Sequence, residues 1–448
     1  MLKYFSFLIG SMIFLISNPL SAQRHDLVDS LLSAYIDLNQ FNGSVLISKN
    51  EQIVHLAGYG FKNKELGELH TPESIFPIGS LTKSFTGILI LQLHQEGLID
   101  LDAPAKNYLN GVEISEEITV SHLLSHSSGI PDALEYEEYI NWLFTDTPVN
   151  ILQVIRLFEK ADLKFKPGTK FSYSNSNFIL LGAIVENLRQ VPFQKAMQDY
   201  ILDPLEMRNS GFDFSNLLDE NKSVLYSMLS PRKTQLAPSW NFKLTLADGG
   251  LHSSLADLFK FYQGLKYNKL LSKDLASVSF TKKNDSYGYG WFVEDKLGVS
   301  VINHGGNLEG ATSFFAWDPV NDICIILLSN TTSTMLERIS WNIYSILNNK
   351  LPEFPKEKAR VTVDAEILNR WVGIYQISDK LQITISEEGG NLLLQINDGV
   401  METFYPESET SFFIPREDVS VSFKKTEDGI QIRYKEGLGT KVGDKIEH

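Results

Sequence analysis

A serine three residues ahead of a lysine can share a helix face with it, and residues 80–83 of this sequence read Ser-Leu-Thr-Lys. A hydroxyl beside an amine is a nucleophile beside a base. The same spacing recurs at Ser230 and Lys233, at Ser279 and Lys282, and at Ser422 and Lys425, so context must choose among the four. Only the first is preceded by a turn region, residues 72–79, and followed by a helical apolar pattern: Phe85, Ile88, Leu89, Leu91 and Leu93, stopping at Gly97. This predicts a loop that delivers Ser80 to the start of a buried helix, where unpaired backbone N–H groups can hold an anion. The plain alternative for Ser80 is a helix cap.

Two further stretches carry chemistry. Tyr173-Ser174-Asn175 follows the turn Pro167-Gly168 and stands just ahead of a second apolar helix pattern at residues 178–188. The Tyr173 hydroxyl can relay a proton, and the Asn175 amide can both donate to a carbonyl and accept from Lys83. Tyr-x-Asn also occurs at Tyr108 and Tyr139, so position gives it its weight. His304-Gly305-Gly306-Asn307 follows a predicted strand at residues 300–303. Paired glycines there let a substrate backbone approach, and a backbone N–H can complete an oxyanion hole with that of Ser80. A half-exposed strand histidine before a glycine turn is the competing reading.

The elements that must hold these residues have a readable order. Residues 43–48 and 52–57 predict a hairpin, and residues 132–254 alternate helical stretches with turns. Strands return at residues 290–293, 300–303, 313–317 and 323–329, before a helix at 332–347. If the strands from both ends pair, the result is an α/β domain: an antiparallel sheet flanked by helices, with a helical subdomain inserted. Residues 351–362, which begin with two prolines, read as a linker. Short strands at 383–385, 392–396, 403–405, 411–414, 420–423 and 430–434 predict a small all-β barrel or sandwich over residues 363–448.

The 448 residues carry a formal net charge of −15 and a single cysteine, Cys324. The acidity argues against nucleic acid as a partner, and one cysteine excludes an intrachain disulfide. Residues 1–22 read as an export signal, with Lys3, an apolar stretch too short to span a bilayer, and Ser21-Ala22 before the cut. The mature domain then runs over residues 23–350, periplasmic or secreted, with no membrane span. His122 and His126 are four apart, yet no glutamate follows His122 as a metalloprotease motif requires. No metal or other cofactor is expected. Around Ser80, Thr82 stands where an α/β-hydrolase elbow has its second glycine.

In order and separation, the Ser80, Tyr173 and His304 stretches resemble the serine beta-lactamase and penicillin-binding-protein superfamily, most closely its class C beta-lactamase-like hydrolases. Residues 118–131, 203–207, 249–253 and 287–291 support that resemblance. Residues after Trp371-Val372-Gly373-Ile374-Tyr375 are similar to the lipocalin-like barrel appended to such hydrolases. The resemblance implies that Ser80 is acylated, that Lys83 and Tyr173 share proton transfer, and that Asn175, His304, Gly305, Gly306 and Asn307 bind substrate. His304 stands where beta-lactamases carry a lysine, and a histidine is only partly charged near neutrality. That favours an esterase or D-peptide-like amidase acting on a small molecule or peptide. A beta-lactamase, a D,D-carboxypeptidase and a non-catalytic receptor are the alternatives, and the sequence leaves oligomeric state open.

Overall fold

The computed structural model describes residues 19–447 apart from 146, 230–233, 285, 334, 379–380, 398–400, 416–417, 428 and 438. The stretch read as an export signal lies largely outside them, and the expected cut after Ala22 falls within the first helix, α1 (Pro19–Asp37). Among the described residues no helix is long and apolar enough to cross a membrane.

Six antiparallel strands make the central sheet: β1 (Gly43–Lys49), β2 (Gln52–Tyr59), β3 (Phe292–Lys296), β4 (Val299–Leu308), β5 (Ala311–Asp318) and β6 (Ile323–Ser329). Their spatial order is β2-β1-β6-β5-β4-β3, so the two ends of the domain meet where β1 pairs with β6. Alternate side chains serve opposite faces. Val45, Ile47, Phe314, Ala316, Ile325 and Leu327 pack with α1 and with α5 (Leu336–Leu347), while Leu46, Phe315, Ile326 and Leu328 join the larger core on the other side. Burial on both faces explains why β1 and β6 read as nearly continuous apolar runs.

Three of the helices in the larger core position the site: α2 (Thr82–Gln95), α3 (Asn175–Arg189) and α4 (Leu255–Lys266). Every residue of α2 from Thr82 to Leu93 is buried, which its nearly unbroken apolar sequence requires. Helix α3 begins three residues earlier than the apolar pattern predicts, because its first turn is made of buried polar residues, Asn175, Ser176 and Asn177. Strand β4 also runs past the predicted end at Asn303 and carries residues 304–307 as strand, not as a turn. Its pairing with β3 stops at Asn303, so the rest of β4 is a free edge beside the start of α2.

Residues 350–364 contain no helix or strand. Beyond them a short helix, α6 (Ala365–Trp371), leads into eight strands: β7 (Gly373–Ser378), β8 (Leu381–Glu388), β9 (Asn391–Ile396), β10 (Met401–Pro406), β11 (Ser411–Phe413), β12 (Val419–Thr426), β13 (Gly429–Glu436) and β14 (Gly439–Glu447). They form a closed barrel in sequence order. Its interior is filled by Tyr375, Phe404, Phe412, Phe423 and their neighbours, with Trp371 stacked on Phe423. The barrel rests against the first domain through Arg338 of α5, which pairs with Asp418.

Candidate active site

Ser80 lies in a single 3-10 turn, Gly79–Leu81, that runs directly into α2. Gly79 has φ +52°, a backbone conformation open to glycine at little cost. The turn is held from below by the two-stranded ladder of Ile75–Pro77 with His252–Ser254. No side-chain cap bond forms at the start of this turn or of α2, which removes the plain capping reading of Ser80. Instead, its Oγ accepts a hydrogen bond from Lys83 Nζ at 3.1 Å.

Lys83 is fully buried, and its amine has two more acceptors: Asn175 Oδ1 at 2.7 Å and the Asp248 carbonyl at 2.6 Å. All three oxygens are uncharged. Asn175 is fixed in turn by Asp132, whose carboxylate accepts from the Asn175 backbone N–H and from Nδ2, each at 3.1 Å to Oδ1. With both donors of Asn175 committed there, its Oδ1 must face Lys83. The Asp248 side chain is buried near the same amine, its Oδ1 unpaired among the described residues, and burial pushes its carboxyl up to about 6.

Tyr173 closes the other side. Its ring lies 5.1 Å from Lys83 Nζ and stacks on His126 with 4.1 Å between centroids. His126 is wholly buried; its Nδ1 accepts from the Ser174 N–H at 3.1 Å, so it props the Tyr173 stretch. It stands beyond the end of the short helix Val120–Leu124, where His122 caps its own helix start, so the two histidines share no helix face.

The free edge of β4 forms the far wall. A Cβ on Gly306 would lie 1.8 Å from the Ile78 carbonyl, so only glycine lets β4 approach the Ser80 turn this closely. His304 is 1 % exposed; its Nε2 bonds the Tyr287 hydroxyl at 3.0 Å and its Nδ1 the Gly305 carbonyl at 2.6 Å. Burial pushes its pKa down to about 3, so it is uncharged near neutrality, not partly charged and half-exposed as the sequence suggested. Ser80, Tyr173 and residues 304–307 line one cavity of about 490 Å³.

The fold therefore brings Ser80, Lys83 and Asn175 into direct contact and sets Tyr173, His304, Gly305, Gly306 and Asn307 around them. Of the other Ser-x-x-Lys matches, Ser279 bonds the Ala276 carbonyl, Ser422 lies on barrel strand β12, and the pair at 230 and 233 is outside the described residues.

The model of the family described as Beta-lactamase matches residues 28–348. The chain belongs to the beta-lactamase family. A second model, a domain of unknown function (DUF3471), matches residues 357–435. Penicillin-binding protein 4* of Bacillus subtilis is 25% identical over 443 residues, covering 92% of this chain and 96% of the relative. The octameric penicillin-binding protein homologue from Pyrococcus abyssi superposes with TM-score 0.64 at 26% identity, over 93% of this chain and 99% of that one. A D-stereospecific amidohydrolase from Streptomyces sp. gives TM-score 0.59 at 25% identity, over 70% and 94%. The beta-lactamase-like domain and the appended barrel are thus both architectures found in this superfamily.

Sequence reasoning missed Asp132 and Asp248, and weighed His126 only as half of a metal-binding pair. The first two stand beside stretches that mark the family, residues 118–131 and 249–253, and a carboxylate touching such a stretch is the signal that was available.

Proposed function

We propose that the protein is an exported serine hydrolase that forms an acyl-enzyme on Ser80 with an ester or a D-peptide-like amide. The observation that carries this reading is the set of contacts around the Lys83 amine. A neutral Lys83 would keep its two N–H bonds to the nearer acceptors, Asn175 and Asp248, and turn its lone pair toward the more distant Ser80 Oγ. As Oγ bonds to the substrate carbonyl carbon, its proton passes to Lys83. The carbonyl oxygen gains the negative charge, and backbone N–H groups of Ser80 and of the adjoining β4 edge are the donors available to it. Collapse breaks the bond to the leaving alcohol or amine, which takes a proton relayed through Lys83 and Tyr173. Water then attacks the acyl group and restores Ser80.

The uncharged His304 supports an ester or amide substrate over a beta-lactam, whose carboxylate calls for a fixed positive charge at this position. Similarity to a D-stereospecific amidohydrolase points the same way.

The test is intact mass after treatment with a fluorophosphonate, a p-nitrophenyl ester and a penicillin. Wild type is expected to gain the fluorophosphonate adduct and to turn over the ester, with no lasting penicillin hydrolysis. Ser80→Ala should show no adduct and lose about 1,000-fold or more in turnover. Undiminished turnover in Ser80→Ala would remove the assignment.

A further inference from the structure

The cavity that holds Ser80 does not end at β4. It passes around the free edge of that strand to the opposite face of the sheet, where α5 and Glu436, Gly437 and Gly439 of the barrel provide its walls. Strand alternation places Asn303 on this side, with Val301 and Phe314, under α5.

The described lining contains three carboxylates, Glu294, Glu337 and Glu436, and no lysine or arginine. Nearby cations are already engaged: Lys296 with Glu294 at 2.7 Å, and Arg338 with Asp418. Glu337 accepts from Trp341 Nε1 at 3.1 Å, and Glu436 from the Tyr434 hydroxyl at 3.2 Å; both donors are neutral. Burial, with a smaller push from Glu294, raises the Glu337 pKa against the lowering pull of Trp341, Lys296 and Arg338.

A second, independent observation points to a ligand. Asn303 is 3 % exposed and lies in the wall of this cavity, yet among the described residues its Nδ2 has no acceptor. A buried donor of this kind is costly unless an acceptor arrives.

We propose that the barrel-facing end of the cavity is a subsite for the ammonium group of the substrate, with Asn303 donating to a neighbouring carbonyl. The favoured substrate class is then an ester or amide of a short peptide with a free amine, since the amine must stand at least one residue away from the carbonyl held at Ser80. This rests on the reading of Ser80 as the acylated serine, because that reading makes the cavity a substrate site. It also gives the barrel a part in specificity, since Glu436 belongs to it.

The test separates binding from turnover. Full-length Ser80→Ala would be titrated by calorimetry with D-alanyl-D-alanine p-nitroanilide, its N-acetyl derivative and its N-succinyl derivative. The free amine is expected to bind at least about tenfold more tightly than the acetylated compound, with the succinylated one weakest. The advantage should shrink as salt is raised to about 0.5 M, because a cation held partly by the exposed Glu436 is screened. Adding Glu337→Gln or Glu436→Gln should reduce it, and combining them should remove it. The salt series uses the native lining, so it stands even if a variant folds poorly. Equal binding of the three probes, a reversed order or no binding of the free amine would overturn the subsite. Failure of the hydrolase reading registers separately, as absence of a fluorophosphonate adduct on wild type.

Discussion

Asn175 can present either end of its amide to Lys83, and Asp132 decides which. Because Asp132 accepts from both the backbone N–H and Nδ2 of Asn175, only the amide oxygen is left for the lysine. Asp132→Ala should free the amide to turn, lowering kcat by about 10- to 100-fold with KM little changed, as expected when a positioning contact near the reacting atoms is lost. Steady-state kinetics alongside thermal unfolding would check this, since Asp132 also accepts from the Leu134 N–H and its loss has a structural component. Asp248 supports a different prediction. Its carboxyl is raised to about 6 in the folded chain against an ordinary 3.8, so its contribution to stability is full below about 4 and is lost as pH rises through 6. Asp248→Asn should therefore stabilise the protein at pH 7.5, by up to about 3 kcal/mol, and change little at pH 4. Denaturant titrations at the two pH values would measure it. Ser80, Lys83, Tyr173 and Asn175 were legible because they sit at short spacings before apolar helices. Asp132 and Asp248 were not, because their contacts join segments far apart in sequence, and His304 reveals its uncharged state only once it is buried.

At the scale of elements, β4 is where sequence and structure part. Two consecutive glycines read as a turn, yet here they let a strand pass close to the Ser80 turn. Their roles are unequal. A Cβ at Gly306 would strike the Ile78 carbonyl at 1.8 Å, whereas one at Gly305 meets nothing nearer than 3.5 Å. Gly306→Ala should cost about 1–3 kcal/mol, as overpacking does, and slow fluorophosphonate labelling sharply; Gly305→Ala should stay within about 1 kcal/mol and label normally. Parallel melts and labelling time courses would separate the two. The barrel strands show the reverse difficulty. β14 has few apolar residues, and Val442 and Ile446 are exposed, so its sequence lacks the in-out alternation of a half-buried strand. Its place becomes evident only when it pairs with β7 and closes the barrel.

For the whole molecule, buried histidines govern the response to acid. Burial pushes His70 and His252 down to about 4 and His304 to about 3. A histidine depressed on folding contributes stability that is full above its unfolded pKa, near 6.5, and is lost as pH falls toward the folded value. The three together amount to on the order of 10 kcal/mol, comparable to the entire stability of a domain and well above the opposing term from Asp248. Cooperative unfolding between about pH 6 and 4 is expected, followed by near-ultraviolet circular dichroism, and replacing His252 by Gln should move the midpoint to lower pH. The overall plan, a sheet built from both ends of a domain around a helical insertion, was legible because strands and helices fall in separate blocks of sequence.

The pairing of β1 with β6 has a consequence for how the chain acquires its structure. Gly43 meets Ser329 and Lys49 meets Ile323, so the middle of the sheet joins a strand made early in synthesis to one made after the entire helical insertion. Until then Val45, Leu46 and Ile47 belong to a hairpin with an open, apolar edge. Pairings this distant in sequence are slow to form, and an unsatisfied edge recruits other chains in the interval. The newly made polypeptide thus passes through a period of self-association risk that ends only when the sixth strand arrives, and recovery from denaturant should be limited by protein concentration more than by time.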